Sequence, residues 1–471
     1  MKTVLPAAVL LLASAAAVPT AHAQTLATGR SSLGSTSPFL GGVPTGTATA
    51  EPIPLTILTA ITRALDHNLG VLNAEEGVGR AQGARWMALA DMLPNISGRV
   101  ADNRQKVNLA AFGFPLPAGV PALVGPFNVF DARVNLSQSV FDRHLSNLTR
   151  AEDHRIAAAQ LNVKSARDLV VIVSGNLYLQ TLAADARVQS ARAQLQTAQA
   201  IFDQTTALKA SGIVAGIDVL RTEVQLGTQQ LRLTSATNDF ALMKLQLARV
   251  IGLPAGQAVT LSPDIPDLPA PDMTIDQAVE RALATRPDYL AAVERLKAVE
   301  AERQAAVDEW LPSVRVAADY GTIGNTIAEA KGTYSLSGSV NVPIFNGGKT
   351  RGRLMQADAD LRMRRSEVAD LQSAIDFDVR ASFLELKTTD EQLKVATRSR
   401  DLAAQQLTQA RDRFAAGVAS NLEIVQAQEA VATSSEQYIA AFYGYNSAKG
   451  SLTRVLGTAE DLVRQLLGGV R

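Results

Sequence analysis

Thr56-Ile57-Leu58-Thr59-Ala60-Ile61-Thr62-Arg63-Ala64-Leu65 returns later in the chain as Thr274-Ile275-Asp276-Gln277-Ala278-Val279-Glu280-Arg281-Ala282-Leu283. The register then holds without a gap to Asp91-Met92-Leu93-Pro94 against Glu309-Trp310-Leu311-Pro312. Further on, Val140-Phe141-Asp142 answers Ile344-Phe345-Asn346. Gly212-Ile213-Val214-Ala215-Gly216-Ile217-Asp218-Val219-Leu220 answers Gly417-Val418-Ala419-Ser420-Asn421-Leu422-Glu423-Ile424-Val425. Ile251-Gly252 closes the first copy as Leu456-Gly457 closes the second. Each unit spans about two hundred residues, far beyond a solenoid repeat. The chain is therefore a duplicated, domain-sized module, with one copy at 55–261, a second at 274–457, and a Pro-rich linker at 262–273.

Within each copy the pattern reads helix, strand, strand, helix, helix. An opening helix over 56–92, and again over 274–310, stops at Leu-Pro, because proline ends a helix and biases its predecessor to extended backbone. Ile96, Gly98 and Val100 then alternate with polar residues, as Val314, Val316 and Ala318 do in the second copy. Phe130, Ala132, Val134 and Leu136 alternate with Asp131, Arg133, Asn135 and Ser137. Leu336, Gly338, Val340 and Val342 alternate with Ser335, Ser337, Ser339 and Asn341. Period two with one apolar face is a half-buried strand, or a barrel wall greasy outside and wet inside. Helical seams follow. Ile156, Ala159, Val163, Ala166, Val170, Val173 and Leu177 step by three and four, then Ala184, Val188, Ala191, Leu195, Ala198 and Phe202, before a turn at Gly212. The helix from Asp142 to Ala210 spans roughly 100 Å at ~1.5 Å per residue. Its counterpart runs from Lys349 to Ala415, with Leu407, Ala410 and Phe414 on the last seam before Gly417.

The start of the chain carries a targeting pattern: Lys2, an apolar run from Val4 to Val18, and Ala21-His22-Ala23 before Gln24. This is a secretory signal peptide over 1–23, and the run is too short and too Pro-broken for an anchor helix. Residues 24–54, rich in Thr, Gly, Ser and Pro, read as a flexible lead-in, and 458–471 as a C-terminal tail. No later stretch reads as a transmembrane helix, so any membrane span is made of strands. One chain offers four strands, whereas the smallest spanning barrel needs about eight, so the barrel closes between chains. Two chains give eight and three give twelve, and the count alone does not choose.

The 471 residues hold 45 basic and 45 acidic side chains and no cysteine. Zero net charge argues against nucleic acid as a partner. The absence of cysteine removes disulfides, thiolate metal sites, a Cys nucleophile and N-terminal lipidation. His67, His144 and His154 show no ligand spacing and read as surface residues. Gly348-Lys349-Thr350 imitates the end of a phosphate loop, but Pro343 stands where that loop needs glycine. No catalytic constellation emerges; neither an enzyme nor a cofactor is expected.

The duplicated helix-strand-strand-helix-helix plan resembles the TolC family of outer membrane efflux proteins. So do the Leu-Pro exits at Pro94 and Pro312, the strand ends Gln138-Ser139-Val140-Phe141-Asp142 and Val342-Pro343-Ile344-Phe345-Asn346-Gly347-Gly348, and the two glycine tips. The likeness covers residues 55–457. It implies an α+β membrane protein: a homotrimer with a twelve-stranded outer-membrane β-barrel, four strands per chain, continued by a periplasmic α-helical coiled-coil barrel. It further implies a passive exit duct for efflux or type I secretion, docked to a periplasmic adaptor and an inner-membrane pump and embedded in outer-membrane lipid. A periplasmic coiled-coil scaffold or adaptor without a barrel is the alternative; it has no reason to keep alternating strands in both copies.

By resemblance, Gly212-Ile213 and Gly417-Val418 are adaptor-docking tips, and Asp218 and Glu423 fall where tunnel-mouth carboxylates stand. Residue chemistry offers other roles for the same positions. Gly212 and Gly417 suit left-handed helix ends, Ser420-x-x-Glu423 reads as a capping box, and Asp218 favours a first helical turn. Ala419 stands where some relatives have Arg, and Gln426 replaces a further acid, so the familiar charge-linked gate is not expected. Between the first copy's strands, residues 106–126 read as a long apolar loop with Phe112, Phe114, Leu116, Val120 and Leu123, expected to fold over the pore or contact lipid or an outside partner.

Overall fold

The computed structural model describes residues 37–113, 119, 121–266, 273–416 and 418–468. The expected signal peptide, residues 24–36 of the lead-in, most of the linker and the last residues of the tail lie outside them. In chain order the elements are β1 (Ile53–Leu55), α1 (Ile57–His67), α2 (Leu69–Ala90), β2 (Asn95–Asn108) and β3 (Leu123–Phe141). The long α3 (Arg143–Ala210) and the return helix α4 (Gly216–Val250) follow, and β4 (Val259–Leu261) ends the first copy. The second copy contributes α5 (Ile275–Thr285), α6 (Pro287–Asp308), β5 (Ser313–Gly324), β6 (Lys331–Asn341), α7 (Lys349–Ala415) and α8 (Asn421–Val455), and α9 (Ala459–Gly468) is last.

The opening helix of each copy, expected as one piece, is two. Asn68 and Arg286 both leave helical geometry for extended backbone. Asn68 restarts the first copy by accepting the N–H of Gly70 at 2.8 Å. Arg286 precedes Pro287, which excludes the helical region for its predecessor and supplies a favourable first helical residue. Each kink is braced by the glycine that closes its own copy. Gly252 (φ +65°) lies against His67, and Gly457 (φ +69°) against the backbone of Arg286, where a Cβ would approach within 2.6 and 2.9 Å respectively. Only glycine suits both the left-handed backbone and that approach.

From Ser37 onward the lead-in is also more ordered than its composition suggests. Its Thr, Gly and Pro residues leave few apolar side chains, so the backbone does the anchoring. Val43 donates to the carbonyl of His67 (2.8 Å), Thr49 to the Gln257 side chain (2.7 Å), and Phe39 accepts from Asn68 (2.9 Å). β1 pairs in parallel with β4, tying the front of one copy to its end. A cluster of Leu55, Ile61, Val71, Val170, Tyr178, Leu247, Ile251 and Val463 lies beneath. The fully buried Tyr178 hydroxyl is 2.8 Å from the carbonyls of both Leu55 and Ser262 and donates to either. Burial pushes that phenol up to about 12, so it stays a donor at any physiological pH.

α3 is the spine. It packs on α2 and α6 towards the strands and on α4 and α8 towards the tips. Ala166, Val170, Ala184, Val188, Ala191 and Ala198 of its expected seam are buried. One window of α3 is apolar enough to cross a membrane by length and composition, contrary to expectation, but it is 56% buried inside the protein and belongs to this core. The histidines are not simply on the surface either: His154 bonds to Glu294 (2.8 Å) and His144 to the Ala305 carbonyl (2.9 Å).

α9 is held to α3 in a way no sequence pattern announced. The buried Asp168 carboxylate accepts the Glu460 N–H at 2.9 Å, capping α9 from another element. Glu460 lies between Arg167 (2.9 Å) and Arg464 (2.7 Å). Burial, opposed by that hydrogen bond, raises the Asp168 carboxyl to about 6. An acid whose folded pKa exceeds its unfolded value contributes stability at low pH and loses it as pH rises through the folded value. Asp168→Asn keeps an acceptor but does not ionise. Its thermal unfolding should therefore lose part of the fall in stability between about pH 4 and 6. Tyr178→Phe should destabilise the β1–β4 corner by about 1–2 kcal/mol, read as faster proteolysis at residues 44–55.

Candidate functional site: the strand wall and the helix tips

β2, β3, β5 and β6 form one antiparallel sheet in that order, with β2 and β6 as its edges. Cross-strand register sorts the residues by face. Ile96, Val100, Val134, Tyr320, Tyr334, Leu336 and Val340 share one face and are strongly exposed, Tyr334 at 81%. Ser97, Arg99, Arg133, Asn135, Asp319, Ser335 and Ser337 share the other. Greasy outside and polar inside is the arrangement of a lipid-facing barrel wall. Aromatics mark two levels on the greasy side. Phe141 lies at one end, while Phe130 and the directly paired Tyr320 and Tyr334 lie towards the other. Along strands tilted by about 40°, Phe130 lies roughly 28 Å from Phe141, near the height of an apolar membrane band, while the tyrosine pair, level with Val134, lies roughly 18 Å away. The two tyrosines escaped the sequence reading; their phase with Leu336 was the available signal.

The sheet meets the helices as the Leu-Pro motifs require. Pro94 and Pro312 are exposed, and β2 and β5 begin at the next residue. The return junctions differ between copies. Phe141 is the last residue of β3, past a bulge, and Asp142 caps α3 through the Leu145 N–H (3.1 Å). Phe345 lies beyond the end of β6 and is almost fully exposed, and α7 starts after Gly348 without a side-chain cap. The expected loop at 106–126 is shorter than it reads: Lys106, Val107 and Leu123 belong to strands, since Val107 pairs with Val124 and Asn108 with Leu123. Phe114, Leu116 and Val120 lie outside the described residues.

At the far end α3 and α7 turn back. Gly212 is left-handed (φ +75°), and the Ile213 N–H closes the helix end on the Leu208 carbonyl at 2.9 Å. The second tip repeats this through the Val418 N–H and the Arg413 carbonyl at 3.0 Å; Gly417 itself lies outside the described residues. Ile213 and Val418 are exposed at 69% and 68%, so each turn presents one bare aliphatic side chain. Asn421 ties the two tips together, donating to the Asp218 carbonyl at 3.2 Å. Ile201, Ala410, Ile424 and Ala427 form the small core above them.

The capping box expected at Ser420 does not form: its side chain makes no cap bond, and the Glu423 carboxylate lies 3.4 Å from Arg413 instead. Asp218 is 3.3 Å from Arg221. Each candidate gate carboxylate thus has an arginine from its own chain, a partner the comparison at Ala419 did not suggest. The free flanks of the helical layer are α4 and α7, with Leu220, Val224, Leu231 and Leu245 exposed on one and Phe377, Leu384, Val395 and Leu402 on the other, largely at heptad-like spacings. Gly212→Val, a β-branched residue forced to positive φ, should destabilise the first tip by about 1–2 kcal/mol. Hydrogen exchange at residues 205–220 should accelerate while the strands stay protected.

The family model of outer membrane efflux proteins matches residues 60–253 and 278–458, once in each copy. The chain is 25% identical over 412 residues to the pyoverdine export outer membrane protein OpmQ of Pseudomonas putida, covering 85% of each protein. It is 25% identical over 434 residues to the outer membrane protein OprJ of Pseudomonas aeruginosa, covering 86% of this chain and 85% of that one. Among solved structures, the CmeC outer membrane channel of Campylobacter jejuni superposes with a TM-score of 0.77 at 16% identity, covering 91% of this chain and 94% of CmeC. VceC of Vibrio cholerae gives 0.73 at 18%, covering 85% and 96%. With matches in both copies and this shared architecture, the chain belongs to the outer membrane efflux protein family.

Proposed function

We propose that three copies of this chain close one barrel in the outer membrane and one helical tunnel beneath it, forming the passive exit duct of a tripartite pump. The observation that carries the assembly is the sheet itself: four strands, an apolar outer face, and two edges that pair with nothing among the described residues. Backbone groups left open in lipid cost several kcal/mol each, so β6 of one chain pairs with β2 of the next until the ring closes. Below the membrane the same neighbours bring the bare aliphatic row on α7 against that on α4. Three chains, giving twelve strands, match the plan of the family.

Transport needs partners at both ends of the periplasm. An adaptor contacts the tips through Ile213 and Val418, apolar knobs held outward by their turns, and an inner-membrane pump selects the cargo. Relatives named for the export of pyoverdine and toluene support small molecules as that cargo. Asp218 and Glu423 line the mouth in this reading, their charge offset by Arg221 and Arg413.

The assembly is tested by the mass of the protein extracted from outer membranes in detergent, expected at three times the mature chain; a soluble periplasmic monomer or dimer would overturn the channel. For the tips, Ile213→Asp with Val418→Asp should leave that mass unchanged and reduce export at least tenfold, because a charge replaces each knob. Export at the original level would remove the docking role.

A further inference from the structure

The polar face of the sheet carries an unbalanced charge. Arg99, Arg133, Arg315 and Lys331 are in its register, against only Asp131 and Asp319. Arg133 takes both carboxylates, Asp131 at 2.7 Å and Asp319 at 2.9 Å. It reaches across because its register partner is Gly321, where any Cβ would strike the Arg133 Cβ at 2.3 Å. Arg99, Arg315 and Lys331 have no acidic partner among the described residues, and all three are exposed. Among the described residues, the only charged ones in register with the opposite face are Asp102 and Arg104, one of each sign, near the outer end.

We infer that the strand lumen is a cationic filter that favours anionic solutes, with Arg99 and Arg315 as its selectivity residues. This rests on the barrel reading above. Closing three sheets repeats the surplus of two positive charges per chain around one ring. A low-dielectric wall focuses that field into the water it encloses. The carboxylates at the tips do not cancel it: they lie beyond a helix of roughly 100 Å, many Debye lengths away at physiological salt. Cargo that leaves as an organic anion, such as a carboxylate or a phosphate ester, is drawn through the last section, and cationic cargo is slowed there.

The chain has no cysteine, so one introduced thiol reports alone. Ser337→Cys places it on the polar face between the Asp319 and Arg315 rows, and Leu336→Cys places it on the lipid face. Each is treated in intact outer membranes with sulfonatoethyl and trimethylammonioethyl methanethiosulfonate, with rates normalised to a small free thiol. At low salt the anionic reagent should label Ser337→Cys about tenfold faster than the cationic one, the ratio shrinking with added salt. Adding Arg99→Gln and Arg315→Gln should bring it near unity without changing the oligomer's mass. A normalised ratio of one or below in the parent, or one the two substitutions leave unchanged, overturns the filter. Labelling of Leu336→Cys in preference to Ser337→Cys would instead overturn the barrel reading on which it rests.

Discussion

A backbone amide in hydrocarbon has no water to turn to, and this constraint organises the molecule. Four strands are too few to close on themselves, yet one face of the sheet is built for lipid, with Val100, Val134, Leu336 and Val340 uncovered. The open edges at β2 and β6 then demand strands from other chains. Quaternary structure is in this sense a requirement of hydrogen bonding, and the helices follow from it. A barrel shared among chains sets the spacing at which each helical layer must meet its neighbours. The exposed aliphatic rows on α4 and α7 are the residues such a meeting would cover.

Duplication lets one solution serve twice. The kink at Asn68 and the kink at Arg286 are made by different chemistry, an asparagine cap in one case and Arg-Pro in the other, but each is braced by the glycine at the end of its own copy. Arg286 adds an ionic anchor to Asp288 (2.7 Å) and Asp378 (3.1 Å). Burial works against the Asp288 carboxylate, and the Arg286 hydrogen bond and charge outweigh it, holding its pKa below the usual range. The copies diverge where their surroundings differ. The first hairpin is longer than the second, and only the first long helix has a side-chain cap.

Charge is arranged differently at the two ends. At the tips Asp218 and Glu423 each sit beside an arginine of the same chain, so little net field is left there. Between the strands the guanidiniums outnumber the carboxylates, and one arginine absorbs both acids. A chain with zero net formal charge thus has a local surplus of cations on the polar face of its strands.

Much of this was legible in the sequence because it depends on local rules. Period-two alternation placed all four strands, proline marked where helices give way to them, and three-and-four spacing traced α3 and α7 nearly to their ends. These signals survive in a single chain because each reflects which side of one element meets water. The kinks, the Asp168 cap on α9, the Arg413 partner of Glu423 and the anchored lead-in were not legible. Each joins groups distant in sequence, and no local pattern says which acid will face which arginine or carbonyl. Gly252 shows the division: the sequence by itself placed it at the close of the first copy, and only the tertiary structure made it the one residue that fits between the His67 side chain and the Val43 carbonyl, because close approach is a property of packed pairs.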